Sequence, residues 1–100
     1  MTKTDFVFED FKDFVGTVFT VSEAEFPRIP LTLETAELQP ARYSRPGTRP
    51  SFSLIFLCAD QRVLPQKIFQ MEHDDMGAVS IFLVPIGKDQ RGILYQALFN

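Results

Sequence analysis

The C-terminal stretch 77–100, GAVSIFLVPIGKDQRGILYQALFN, restricts what this chain can fold into more than any other part of it. Two apolar runs, 79–85 and 93–99, flank the polar tip Gly87-Lys88-Asp89-Gln90-Arg91-Gly92. Each run has strand length, is rich in β-branched and aromatic residues, and is bounded by glycine and polar residues, which predicts a β-hairpin. In the first strand Ile81 and Leu83 alternate with Phe82 and Val84, so both faces are apolar. In the second, Ile93, Tyr95, Ala97 and Phe99 share one face, while Leu94 and Leu98 flank Gln96 on the other. A strand apolar on both faces needs cover on both, from a second sheet, a helix or a partner chain.

The length of 100 residues fits one domain with one core. Eleven phenylalanines, two tyrosines and no tryptophan make the aromatic content packing material, because phenylalanine carries no polar group. A net charge of −3 gives no electrostatic case for binding nucleic acid or an anionic membrane. Cys58 is the sole cysteine of the sequence, which excludes an intrachain disulfide framework. The opening MTKTDFVFEDFKDFVG intersperses acids among its apolar residues, unlike a signal peptide, and no apolar run approaches the length of a membrane span. A cytoplasmic protein is therefore expected.

In chain order, Phe8, Phe11, Phe14 and Val15 recur at helical spacing and predict a short helix over about 5–15, with Thr4 or Asp5 as its cap and Gly16 as its end. So short a helix does not hold alone, and its phenylalanine stripe is expected to lie as a lid on the sheet. Strands are expected at about 17–22, 31–38, 51–59, 63–72, 78–86 and 93–99. The apolar phase of 31–38 shifts between Leu33 and Ala36, the mark of a bulge or of the end of pairing. Pro65 confines the start of the 63–72 strand to an edge or a bulge. The expected fold is mainly β: a small antiparallel barrel or sandwich of about six strands with one short N-terminal helix packed on it.

Residues offering chemistry are few. The segment 39–50, QPARYSRPGTRP, carries Arg42, Arg45 and Arg49 without one acid. Guanidinium groups there can bind an anion or a partner's carboxylates, against the simpler reading of a solvated connector. His73 stands among Glu72, Asp74 and Asp75, which suits a metal or an acid–base pair, yet consecutive side chains rarely converge and a solvated turn is the simpler expectation. Cys58 falls in the middle of an apolar strand pattern and is expected to be a small buried hydrophobe. The sequence holds no phosphate loop, dinucleotide fingerprint, paired-cysteine spacing or nucleophile motif, so neither an enzyme nor a cofactor is expected.

The segments FSLIF, LPQKIFQMEHDDMG, SIFLVPIG and LYQALFN together resemble an uncharacterised family of small bacterial β-domains. Its landmarks correspond here to Phe11 through Gly16 with Phe19, Phe52 through Phe56, Leu64-Pro65-Gln66, His73, Met76-Gly77, Phe82 through Gly87, and Tyr95 through Asn100. One departure is Lys67-Ile68-Phe69, where the family pattern has glycine, a small residue and tyrosine, so a tyrosine hydroxyl has no counterpart at Phe69. The resemblance implies association with proteins of the phage-tail-collar type, hence assembly in preference to catalysis, and singles out Gln66 and His73 as polar landmarks.

These observations give the expectation of a non-catalytic structural or protein-interaction module that self-associates or docks on a larger partner. Its candidate contact residues are Arg42, Arg45, Arg49, Gln66, His73, Leu94 and Leu98. The alternative is a β-barrel binding a small apolar ligand inside a phenylalanine-lined interior.

Overall fold

The computed structural model describes residues 6–39 and 50–99. Six strands follow one short helix: α1 (Glu9–Lys12), β1 (Val18–Val21), β2 (Ile29–Leu38), β3 (Phe52–Cys58), β4 (Lys67–His73), β5 (Gly77–Asp89) and β6 (Gly92–Phe99). All paired neighbours are antiparallel, in the order β1-β2-β3-β6-β5-β4, and β1 pairs with β4 to close a barrel. The mainly β fold with one short helix is as expected, and the β1–β4 pairing decides for a barrel over a sandwich. None of the helices among the described residues is long and apolar enough to cross a membrane.

Alternation explains the interior. Phe19 and Val21, Leu31 and Leu33, Phe52, Leu54, Phe56 and Cys58, Phe69 and Met71, Val79, Ile81 and Leu83, and Ile93, Tyr95 and Ala97 are all buried. Along each strand they stand two residues apart, so one face of every strand points into the barrel. Burying each large apolar side chain contributes about 1.5–3 kcal/mol. The phase change in β2 is a bulge: Leu33 pairs with Phe56, but Thr35 pairs with Ile55. Beyond it Ala36 packs on the core, while Leu38, at the barrel end, is exposed.

Several boundaries differ from expectation for physical reasons. Ile29 and Pro30, expected in a loop, belong to β2, where Pro30 pairs with Thr20. The Leu33 N–H donates toward β1, to the Thr17 carbonyl. By alternation the N–H that Pro30 lacks would point the other way, beyond the end of the β2–β3 ladder at Leu57, where no bond is lost. The fourth strand starts at Lys67, after Pro65, so residues 63–66 form a connector. The last hairpin is longer and tighter than expected, because a second bulge between Pro85 and Gly87 lets the ladder continue to Asp89↔Gly92. At Gly92 the chain passes so close to β3 that a methyl group would overlap the Cys58 carbonyl.

The two ends of the barrel are closed differently. At the end where β3 begins and β6 finishes, the N-terminal segment inserts a phenylalanine cluster. Phe6 and Phe11 are buried, Phe11 contacts Phe6, Phe19, Phe52 and Phe99, and the Phe52 and Phe99 rings stack 4.6 Å apart. The expected lid is thus a plug. Its α-helix is four residues long, shorter than expected, because most of the surrounding bonds span three residues: Asp10 N–H to Val7, Phe11 N–H to Phe8 and Phe14 N–H to Phe11. The expected caps Thr4 and Asp5 lie outside the described residues, and it is Asp10 Oδ2 that accepts the Val7 N–H, at 2.9 Å. At the opposite end Leu64 is buried, and its N–H donates to the Tyr95 hydroxyl at 2.9 Å.

Candidate functional site

His73 is the clearest correction to the sequence reading. It was expected in a solvated turn, but it continues the inward phase of Phe69 and Met71 at the end of β4 and is 6 % exposed. Its Nδ1 accepts the backbone N–H groups of Asp75 at 3.0 Å and Met76 at 3.2 Å, which shapes the turn into β5. An accepting Nδ1 leaves the ring hydrogen on Nε2, which donates to Thr17 Oγ1 at 2.8 Å. The Thr17 hydroxyl in turn donates to the Phe14 carbonyl at 2.6 Å. Phe14 and Phe19 pack on the imidazole, with centroids 4.8 and 4.3 Å away. Gly77 closes the turn at φ +74°, in the left-handed region. The ring therefore ties the plug, β1 and the β4–β5 turn together, and both its nitrogens are engaged inside the protein. The period of two along β4 was the signal for this, masked by the acidic neighbours.

Glu72 and Asp74 point outward on either side of His73. Glu72 pairs with Arg28 at 2.6 Å across the β1–β4 seam, beside a surface hollow of about 510 Å³ that Val18, Thr20 and Asp74 also line. Both members of that pair are more than half exposed, so it adds little stability. Among the described residues, no group of three His, Cys, Asp or Glu side chains is placed to hold a metal ion. Cys58 is fully buried, and burial pushes its thiol pKa up, away from the reactive thiolate.

The remaining candidates separate. Arg42, Arg45 and Arg49 lie outside the described residues. Gln66 is exposed in the connector before β4. Leu94 and Leu98 project from the outer face of β6, Leu94 half-buried opposite Leu57 and Leu98 exposed opposite Ser53.

Sequence reasoning named those two leucines but missed the surface they belong to. On β4 and β5 the paired residues Ile68 and Phe82 also face outward. Ile68 is 60 %, Phe82 44 % and Leu98 54 % exposed. Val84, Leu94, Ile55 and Leu57, all half-buried, continue the apolar surface over β5, β6 and β3. Between β5 and β6, Ile68, Ser80, Phe82, Leu98 and Phe99 line a groove of about 200 Å³. Ser80 is nearly buried, and its hydroxyl oxygen accepts from Gln70 Nε2 at 2.9 Å. Closure into a barrel thus satisfies one apolar face of the C-terminal hairpin and leaves the other at the surface.

The chain belongs to the family described as Domain of unknown function (DUF6916), which matches residues 6–99. No curated protein and no solved structure matches it.

Proposed function

We propose that this DUF6916 domain is a non-catalytic protein-interaction module whose docking face is the outer surface of β4, β5 and β6. The observation that carries this reading is the cluster of Ile68, Phe82 and Leu98, three large apolar side chains about half exposed on adjacent strands. Single exposed apolar residues are ordinary, whereas a contiguous patch marks an interaction site. The occupant is a second copy or a larger protein, within a multiprotein assembly of the phage-tail kind or another. The engaged ring nitrogens of His73 and the buried Cys58 thiol also favour binding over catalysis. The alternative, an apolar ligand inside the barrel, has less support, because large interior side chains such as Phe56, Phe69, Met71 and Tyr95 already occupy that space.

Replacing Phe82 and Leu98 with lysine tests the reading. Sedimentation velocity at micromolar concentration, together with co-elution from a native lysate, should show an association in the wild-type chain that the double variant loses. An association unchanged by both substitutions would place the interface elsewhere.

A further inference from the structure

The outer face contains a break in the sheet. The β5–β6 ladder runs from Asp89↔Gly92 to Val84↔Gln96. Past that point the strands part. β5 is held by β4 over Gly77–Leu83, and β6 is held by β3 as far as Phe99↔Phe52. Among the described residues, the edge of β5 from Val79 to Leu83 and the facing edge of β6 from Ala97 to Phe99 therefore have no ladder partner in each other. The 200 Å³ groove lies at this parting, between Phe82 and Leu98.

We infer that the parting between β5 and β6 is a strand-addition site, which takes an extended segment of another protein and seats one bulky apolar side chain of that segment in the groove. This deepens the proposed interaction function and rests on it. Three observations specify the occupant. First, an open row of ladder donors and acceptors is complemented by a strand, whereas a helix satisfies its backbone internally and leaves such an edge unmatched. Second, the groove is smaller than the ~300 Å³ at which small-molecule sites begin, but it has room for one large side chain. Third, its lining is apolar, and the Ser80 hydroxyl is already bonded to Gln70, so a charged side chain would find no counterion there. A segment with apolar residues at alternate positions meets all three conditions, because every second side chain points back at the sheet.

The test uses the full chain and a library of random linear dodecapeptides. Panning against the wild-type protein, with counter-selection on the Phe82→Lys/Leu98→Lys variant, should enrich peptides with apolar residues at i and i+2. Methylating the backbone nitrogens of the best peptide in the register that faces β5 should weaken binding at least about tenfold, while methylating the alternate register, which meets only the short β6 edge at Leu98, should weaken it less. Bound peptide should also slow amide exchange at Ser80 and Phe82, whose N–H groups alternate away from β4 toward the parting. Peptides that need Phe82 and Leu98 but ignore N-methylation, or that show helical spacing, would overturn strand addition and leave the docking face standing. A wild-type dimer dispersed by the two lysines would show that a second copy covers the face, and would likewise overturn it. The absence of any peptide dependent on Phe82 and Leu98 would overturn it too. The wider interaction reading fails separately, if the wild-type chain forms no association that those substitutions remove.

Discussion

The carboxylate of Glu23 completes the ladder at the seam that closes the barrel: its Oε2 accepts the backbone N–H of Gln70 at 2.7 Å. The Ser22 N–H donates to the carbonyl of the same Gln70 at 2.9 Å. The registered β1–β4 pairs are Thr20↔Glu72 and Val21↔Met71, so one side chain and one loop amide extend a short seam toward the start of β4. Lys67, whose ammonium lies near the Phe26 and Phe69 rings, bonds the other Glu23 oxygen at 2.5 Å.

That arrangement predicts a pH dependence. Burial by itself would raise the Glu23 carboxyl pKa, but the bonds from Lys67 and from the Gln70 N–H outweigh it and hold the pKa below its usual value. The stabilisation is present above the unfolded carboxylate pKa of ~4.3 and is lost as pH falls through the lower folded value. Glu23→Gln should cost about 1.5–3 kcal/mol near neutrality, the range for hydrogen bonds to a charged group. In urea denaturation across a pH series, the gap between variant and wild type should close on acidification. A gap that persists at low pH would mean that the charge is not its source.

The plug predicts a contrast between neighbours. Phe11 is 0 % exposed and Lys12 is exposed. Phe11→Ala should cost ~3–5 kcal/mol, a large share of the ~5–15 kcal/mol of a small domain. Lys12→Ala should stay within about 0.5 kcal/mol. Urea midpoints of the purified variants check both values. A silent Phe11→Ala would show that the plug does not hold the barrel end.

Much of this was legible in the sequence because a period of two is a local signal. The inward sets of β3 and β6, the bulge after Leu33 and the burial of Cys58 follow from apolar phase at that period, and the burial of Phe11 follows from helical spacing. His73 was misplaced because its neighbours Glu72, Asp74 and Asp75 suggested water, although its parity with Phe69 and Met71 pointed inward. The β1–β4 closure, the Glu23–Gln70 bond and the Leu64–Tyr95 bond join residues far apart in the chain, and no local pattern announces such pairings. The docking groove was hidden for the same reason. Ile68, Phe82 and Leu98 sit on three strands, and only the register shows that β5 and β6 part between them.

Tyr95 supplies the hydroxyl that closes the other barrel end. It is fully buried, burial raises its pKa, and it accepts the buried Leu64 N–H. Tyr95→Phe keeps the ring but orphans that donor, so a loss of about 1–3 kcal/mol is expected. The Leu64 amide should also exchange faster with solvent in the variant. Unchanged stability and exchange would mean that the amide finds another acceptor.

Gly92 and Gly87 lie on the same hairpin but should respond differently. A Cβ at Gly92 overlaps the Cys58 backbone, and its φ of +151° disfavours other residues. At Gly87 nothing lies within 4 Å of the added atom. Gly92→Ala should therefore lose about 1–3 kcal/mol, the scale of backbone strain, and Gly87→Ala no more than about 0.5 kcal/mol. Thermal melts of the two variants give the comparison, and equal shifts would contradict the close approach of β6 to β3.

The docking face is tested most directly by methyl NMR of the isotope-labelled chain, recorded first in buffer and then in lysate of its source cells. Ile68, Val84, Leu94 and Leu98 report the outer face, while Ile81 and Leu83 report the interior face of β5. The outer methyl resonances should broaden or shift in lysate while those of Ile81 and Leu83 keep their positions. Outer methyls that stay unchanged, or changes centred on the Lys88-to-Arg91 tip, would contradict the docking face.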